Sequence, residues 1–173
     1  MLASLVAAVA VALNGAPKAE VVYPAGSHPV VKFAADDLAY WVKEISGAEL
    51  PVSEKSPSEV CGRGGGPCRI FVGTEFARGV FDGDIGEIGD TDGFAIRERG
   101  GDIYLFGGRP RSAVYATSRL LEENTDIIWA RPAAEFGTVF TKSPTIELKM
   151  TSRLEMVWMR AAPTGPSSPA MAK

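Results

Sequence analysis

Gly107-Gly108-Arg109-Pro110-Arg111 is the stretch of this sequence whose residue types come nearest to chemistry. Two glycines and two arginines between a strand and a helix could turn backbone N–H groups and guanidiniums onto an anion. The spacing matches neither G-x-x-x-x-G-K-[ST] nor G-x-G-x-x-G. No lysine follows the glycines, and Pro110 removes one N–H that a phosphate would use. A joint explains the same residues more simply. The glycines let the chain reverse from hairpin to helix, and Pro110 presets the first helical turn. Arg109 and Arg111 are then expected on a surface that meets another domain or a sugar.

Other reactive groups are few. The single histidine, His28, precedes Pro29 at a predicted helix start. One histidine leaves no multi-histidine metal site and one option for a histidine-dependent triad. Its position is that of an ordinary residue leading into a helix. Carboxylates are available at Asp36-Asp37, Asp82, Asp84, Glu87, Asp90, Asp92, Glu122-Glu123 and Glu135. None sits at a strand end in a pattern that marks an acid/base pair, and sequence adjacency does not define the separation that sets a glycosidase mechanism. Asp36-Asp37 and Glu122-Glu123 read as solvated helix faces. Trp129, at a strand end, is either core or a platform for a sugar or a neighbouring domain. No catalytic residue, metal site or cofactor is expected.

Cys61 and Cys68 close the segment CGRGGGPC. In an exported protein this pair reads as a disulfide, worth roughly 2–3 kcal/mol by loop entropy before strain. The alternative is two thiols on a Gly-rich loop. Export is expected because Leu2 to Leu13 is an apolar run too short to span a bilayer and suited to a signal-peptide core. Residues 1–19 are therefore set apart from the fold, with a buried first strand or helix as the alternative, and the chain is expected to be secreted or periplasmic without a stable membrane span. The 173 residues are 46% hydrophobic and 23% charged, with net charge −3. That is a soluble globular composition, and it offers nothing to nucleic acid.

The elements follow from period and punctuation. Glu20–Tyr23 reads as a strand. From Pro29, apolar residues Val30, Phe33, Ala34, Leu38, Trp41, Val42 and Ile45 recur at helical spacing until Gly47. Pro51 places the next strand at a sheet edge. Residues 53–68 are a surface excursion, Arg69–Val72 a buried strand, and 79–91 a loop. Residues 93–106 alternate around Arg99-Gly100-Gly101-Asp102 and predict a β-hairpin. A helix follows from Arg109 to Glu123, then a strand over Asp126–Ala130 and extended pieces at Thr138–Phe140 and Thr145–Met150. The order is not a regular βαβ alternation, so the expectation is α+β: a single mixed sheet with two main helices on one face.

The ordered set VVKFAADDLAYWVKEISGAELPV, IFVG, DGFAIRERGGDIYLFGGRPRSAVYATSRLLEE and IIWARPAAEFGTVFTKSPTIEL resembles the N-terminal domain of bacterial α-glucuronidases. It also resembles the second domain of β-N-acetylhexosaminidases. The similarity covers residues 20–150. It implies an accessory domain, with the catalytic carboxylates on a following (β/α)8 barrel and no functional residue to carry over to this chain. The partner implied is that barrel or a carbohydrate. Residues 151–173 are expected to be a linker or disordered tail leading towards a barrel. The alternative is a stand-alone secreted module that binds carbohydrate or protein, with Trp129 or Tyr104 facing water as an aromatic platform.

Overall fold

The computed structural model describes residues 8–60, 67–130, 137–149 and 152–156. Among them run β1 (Val9–Leu13), β2 (Ala16–Pro17), β3 (Ala19–Pro24), α1 (Pro29–Ser46), β4 (Val52–Lys55) and β5 (Cys68–Val72). There follow α2 (Asp82–Ile88), β6 (Phe94–Arg99), β7 (Asp102–Gly107), α3 (Ser112–Asn124), β8 (Ile128–Trp129), β9 (Thr138–Val139), β10 (Ile146–Leu148) and β11 (Arg153–Glu155). Short 3-10 turns, Pro57–Glu59 and Thr74–Phe76, flank β5.

A six-stranded mixed sheet has the order β11-β6-β7-β5-β3-β4. Strands β4, β3, β5 and β7 are parallel, and β6 and β11 add antiparallel. The β6–β7 hairpin turns at Gly100 and Gly101, with φ of 65° and 87°, the left-handed pair that matches the twist of the strands. Strict alternation assigns the two faces. Val21, Ile70, Val72, Ile96, Ile103 and Leu105 lie in one large core with α1 and α3. Val22, Phe71, Ala95 and Phe106 point the other way into two smaller clusters. The class is α+β, with the two long helices on one face as expected.

In α1 the buried stripe is Val31, Ala34, Ala35, Leu38, Val42 and Ile45, and Gly47 ends the helix at φ 78°. Phe33, expected inside, stands on the exposed flank of that stripe. Strand β4 is at the sheet edge, as Pro51 predicts.

Three expectations are corrected. Residues 9–19 are not apart from the fold. Strand β1 pairs antiparallel with β10, and a turn at Asn14 (φ 51°) and Gly15 (φ 74°) returns the chain into β2. Val11 and Ala12 are buried beside Ile146 and Leu148 in the large core. The described part of the apolar run is thus a buried first strand, because its side chains cover one flank of the main core. Second, the expected loop over 79–91 contains α2. Two glycines at positions 83 and 86 hide its helical period, yet Phe81, Ile85 and Ile88 pack on Ala95 and Phe106 and cover the far side of the sheet. Third, residues 153–155 are not tail but the edge strand β11. It is held by its ladder to β6 and by Arg153 to Glu123 (3.0 Å) and Arg119 to Glu155 (3.3 Å).

Among the described residues no helix is long and apolar enough to cross a membrane.

Removing residues 1–18 uncovers Ile146 and Leu148 and deletes Val11 from the core. At about 1.5–3 kcal/mol per buried aliphatic side chain, the shortened chain should lose several kcal/mol in urea unfolding. Equal midpoints for the two chains would contradict the placement of β1.

Candidate functional site

The Gly107–Arg111 stretch leaves the end of β7 and enters α3, and the N–H groups of Gly107, Gly108 and Arg109 are already used. Gly107 N donates to Thr74 Oγ1 (3.2 Å), Gly108 N to Gly93 O (3.2 Å) and Arg109 N to Ser112 Oγ (3.3 Å). Thr74 Oγ1 in turn donates to Gly107 O at 2.6 Å. Space is lacking as well. A Cβ on Gly108 would lie 2.2 Å from Gly89 O and 2.5 Å from Thr91 O. One on Gly107 would lie 2.3 Å from Ser112 Cβ and 2.5 Å from Gly93 O. Gly108 is required by backbone packed on backbone, and Gly107 by the Ser112 side chain and the Gly93 carbonyl. The stretch is a structural joint and not a phosphate cradle.

The arginines that follow are tied back to the same 89–93 loop. Arg109 Nε donates to Asp90 (3.0 Å), and Arg111 Nε donates to Asp92 (2.5 Å), with a second Arg111–Asp92 bond through Nη2 and Oδ2. Asp92 is 4% exposed, whereas both guanidiniums are nearly half exposed. The Arg109 guanidinium holds the Asp90 carboxyl below the usual carboxylate range. Arg109 and Arg111 thus present their outer edges to solvent while their inner edges neutralise two acids.

Several other candidate acids are engaged in the same way, while Asp82 accepts from Gly79 N at 2.8 Å. Asp84 takes two bonds from Arg97, at 2.7 and 3.0 Å, and Asp36 takes one from Lys32 at 2.5 Å. Glu122 and Glu123 pair with Arg119 and Arg153. Glu135 lies outside the described residues. Asp37 is half-buried on α1, and its burial raises the carboxyl pKa against a hydrogen bond from Trp41 that lowers it. His28 leads into α1, its Nδ1 accepting from Val30 N at 3.2 Å.

Trp129 is not an open platform. Its ring meets Trp41 edge-on at 5.0 Å, and Trp41 meets Phe140 at 6.0 Å. The Trp129 indole N–H is buried and has no hydrogen-bond partner among the described residues. The opposite face of the β8–β9 ribbon carries Ile128 and Val139, paired in register and 60% and 55% exposed. Cys68 opens β5, and Cys61 lies outside the described residues, so the Cys61–Cys68 pairing does too.

Two depressions adjoin these residues. One, of about 210 Å³, sits at the carboxyl ends of β5 and β7 between His28, Thr74 and Arg109. The other is a groove of about 500 Å³ on the face of the sheet away from the long helices. Its floor includes Phe71 and Tyr104, whose rings lie 5.0 Å apart. Arg69 stands above Phe71, held by Asp102 through Nη2 (2.6 Å) and through its backbone N–H (3.0 Å). The groove as a whole has no mark in the sequence, although alternation sets Tyr104 opposite Ile103 and Leu105 and the stand-alone-module reading expects Trp129 or Tyr104 to face water. Its walls come from turns and from the neighbourhood of α2, which carry no periodic signal.

No family model matches the chain, and no curated protein matches its sequence. Solved structures do. A family GH115 4-O-methyl-α-glucuronidase, BtGH115A, with specificity for decorated arabinogalactans, aligns over 82% of this chain and 17% of its own, at 19% identity and TM-score 0.53. A Streptomyces plicatus β-hexosaminidase aligns over 81% of this chain and 23% of its own, at 15% identity and TM-score 0.42. A GH138 enzyme targeting pectin rhamnogalacturonan II aligns over 70% of this chain and 11% of its own, at 15% identity and TM-score 0.39. The chain therefore spans under a quarter of the length of each. The likeness to the α-glucuronidase is one of fold: this arrangement of sheet and helices occurs as a segment of a glycoside hydrolase.

Gly108→Ala should destabilise the chain by about 1–3 kcal/mol or more, because the new methyl meets backbone that cannot step aside. Gly86→Ala, in α2 with nothing within 4 Å of the added carbon, should instead gain up to about 1 kcal/mol. Thermal unfolding of the pair checks the contrast. Asp37→Asn should raise Tm slightly at neutral pH. The folded pKa of Asp37 lies above its unfolded value, so the charged form costs stability there. The gain should shrink as pH falls through the folded value and the wild-type carboxyl protonates.

Proposed function

We propose that this chain is the non-catalytic N-terminal domain of a secreted glycoside hydrolase of the α-glucuronidase type. Its work would be to pack against a catalytic (β/α)8 barrel and shape one rim of the sugar cleft. The observation that carries this reading is the match of 82% of the chain to a 17% segment of an α-glucuronidase. The engaged carboxylates agree with it. Asp84, Asp90, Asp92 and Asp102 each face an arginine rather than one another across a cleft, so no proton-sharing pair of acids forms there. The solvent edges of Arg109 and Arg111 and the exposed Ile128–Val139 face are the contacts offered for a neighbouring domain. Export and a Cys61–Cys68 bridge belong to the same proposal, without help from residues 9–19, which are part of the fold.

A second reading, a stand-alone module that binds carbohydrate, is favoured by one feature: the half-buried Tyr104 ring lines an open groove.

Purified chain should give no turnover of nitrophenyl α-glucuronides or N-acetyl-β-glucosaminides above buffer. Turnover that is lost when one of its aspartates is changed to asparagine would overturn the proposal.

A further inference from the structure

The far face of the sheet carries its own electrostatic pattern. The chain as a whole bears −3, yet the groove there is lined by three arginines, Arg69, Arg78 and Arg99, against two acids, Glu75 and Asp102. Asp102 is buried and consumed by Arg69. Arg78 and Arg99 are exposed and make no ion pair among the described residues. The groove therefore keeps a surplus of positive charge, on the residue type whose flat donor fork matches a carboxylate.

The floor between these arginines is aromatic. Phe71 stacks at a tilt on Phe76 (4.9 Å) and on Tyr104 (5.0 Å), and Phe81 fixes Tyr104 edge-on from the far side (5.2 Å). Tyr104 is the least buried ring of the floor and is held on two sides, so its orientation is set before anything binds. A volume of about 500 Å³ suits a small ligand with an apolar face and a few polar groups.

We infer that this groove binds a sugar residue that carries a carboxylate, its ring against Tyr104 and its carboxylate met by Arg78 and Arg99. The choice of a sugar rests on the glycoside-hydrolase reading above; the site itself needs no catalytic barrel. Strand topology argues against the other carboxylate-rich partner, an acidic peptide bound as an added strand. Strands β5 and β7, which form the floor, each have a hydrogen-bonded neighbour on both sides and offer no open edge.

The probe is a short oligogalacturonide, compared by titration calorimetry with its methyl-esterified form and with an oligoglutamate of equal charge. The acid sugar should bind at least about tenfold tighter than the ester, a gap of about 1.4 kcal/mol, and binding should weaken as salt rises. Arg78→Gln/Arg99→Gln, a change of two exposed side chains, should remove that preference without changing Tm. Tyr104→Ala should weaken binding of the acid sugar; because it also loosens the floor, Tyr104→Phe, which keeps the ring, should retain it. No binding, equal binding of ester and acid, equal binding of oligoglutamate, or a preference that survives the double arginine change would overturn the assignment. Absence of binding leaves the no-turnover expectation untouched, so the two proposals fail separately.

Discussion

The close contact of Gly107 and Gly108 with the 89–93 loop ties the covers of the two sheet faces to each other. There the end of β7 and the approach to α3 are pressed against the backbone that leaves α2, at distances where no side chain fits. The contact fixes where α3 starts and therefore how its buried stripe meets the sheet. It also fixes where α2 ends, and so how Ile88 reaches Phe106 on the opposite face. One backbone joint thus couples α3 on one face to α2 on the other, while α1 is seated by its own buried stripe. The salt bridges of Arg109 and Arg111 to Asp90 and Asp92 lie over the same joint. With both guanidiniums nearly half exposed, they orient the loop more than they stabilise it.

This use of the loop redirects the search for function. N–H groups that donate to Thr74, Gly93 and Ser112 have nothing left for an anion. Acids matched by arginines do not assemble a reactive pair. What remains open to solvent is different in kind: guanidinium edges, an apolar ribbon face at Ile128 and Val139, and an aromatic groove with surplus positive charge. These are the features on which the proposed recognition role rests. They fit a fold that recurs as a small segment of a much longer glycoside hydrolase.

Much of the architecture was legible because local and global signals agree. The hairpin over 93–106 combines alternation with a Gly-Gly turn, and α1 combines a helical period with Pro29 at its start and Gly47 at its end. Strand β1 is not legible by period alone, because an apolar run near an N-terminus has two physical uses that periodicity does not separate. The Asn14-Gly15 pair, a strong hairpin signal, would have decided for a strand. Helix α2 was hidden by two glycines in seven residues; tertiary contacts of Phe81, Ile85 and Ile88 override their propensity. At the site, the joint and its two arginines were readable. Asp90 and Asp92, nineteen residues away, were not identified as their partners, because side-chain pairing across two loops leaves no mark on sequence spacing. Sequence allows Trp129 to be core or platform, and its edge-on contact with Trp41 resolves it towards packing.

The central claim is that the glycine–arginine stretch is a closed backbone joint. Two-dimensional NMR of the labelled protein during a titration with inorganic phosphate tests it at the atoms concerned. The account predicts that the amide signals of Gly107, Gly108 and Arg109 stay where they are apart from a small, unsaturating drift with ionic strength. Saturable shifts of those three amides together would mean that their N–H groups are free to hold an anion, and would contradict it.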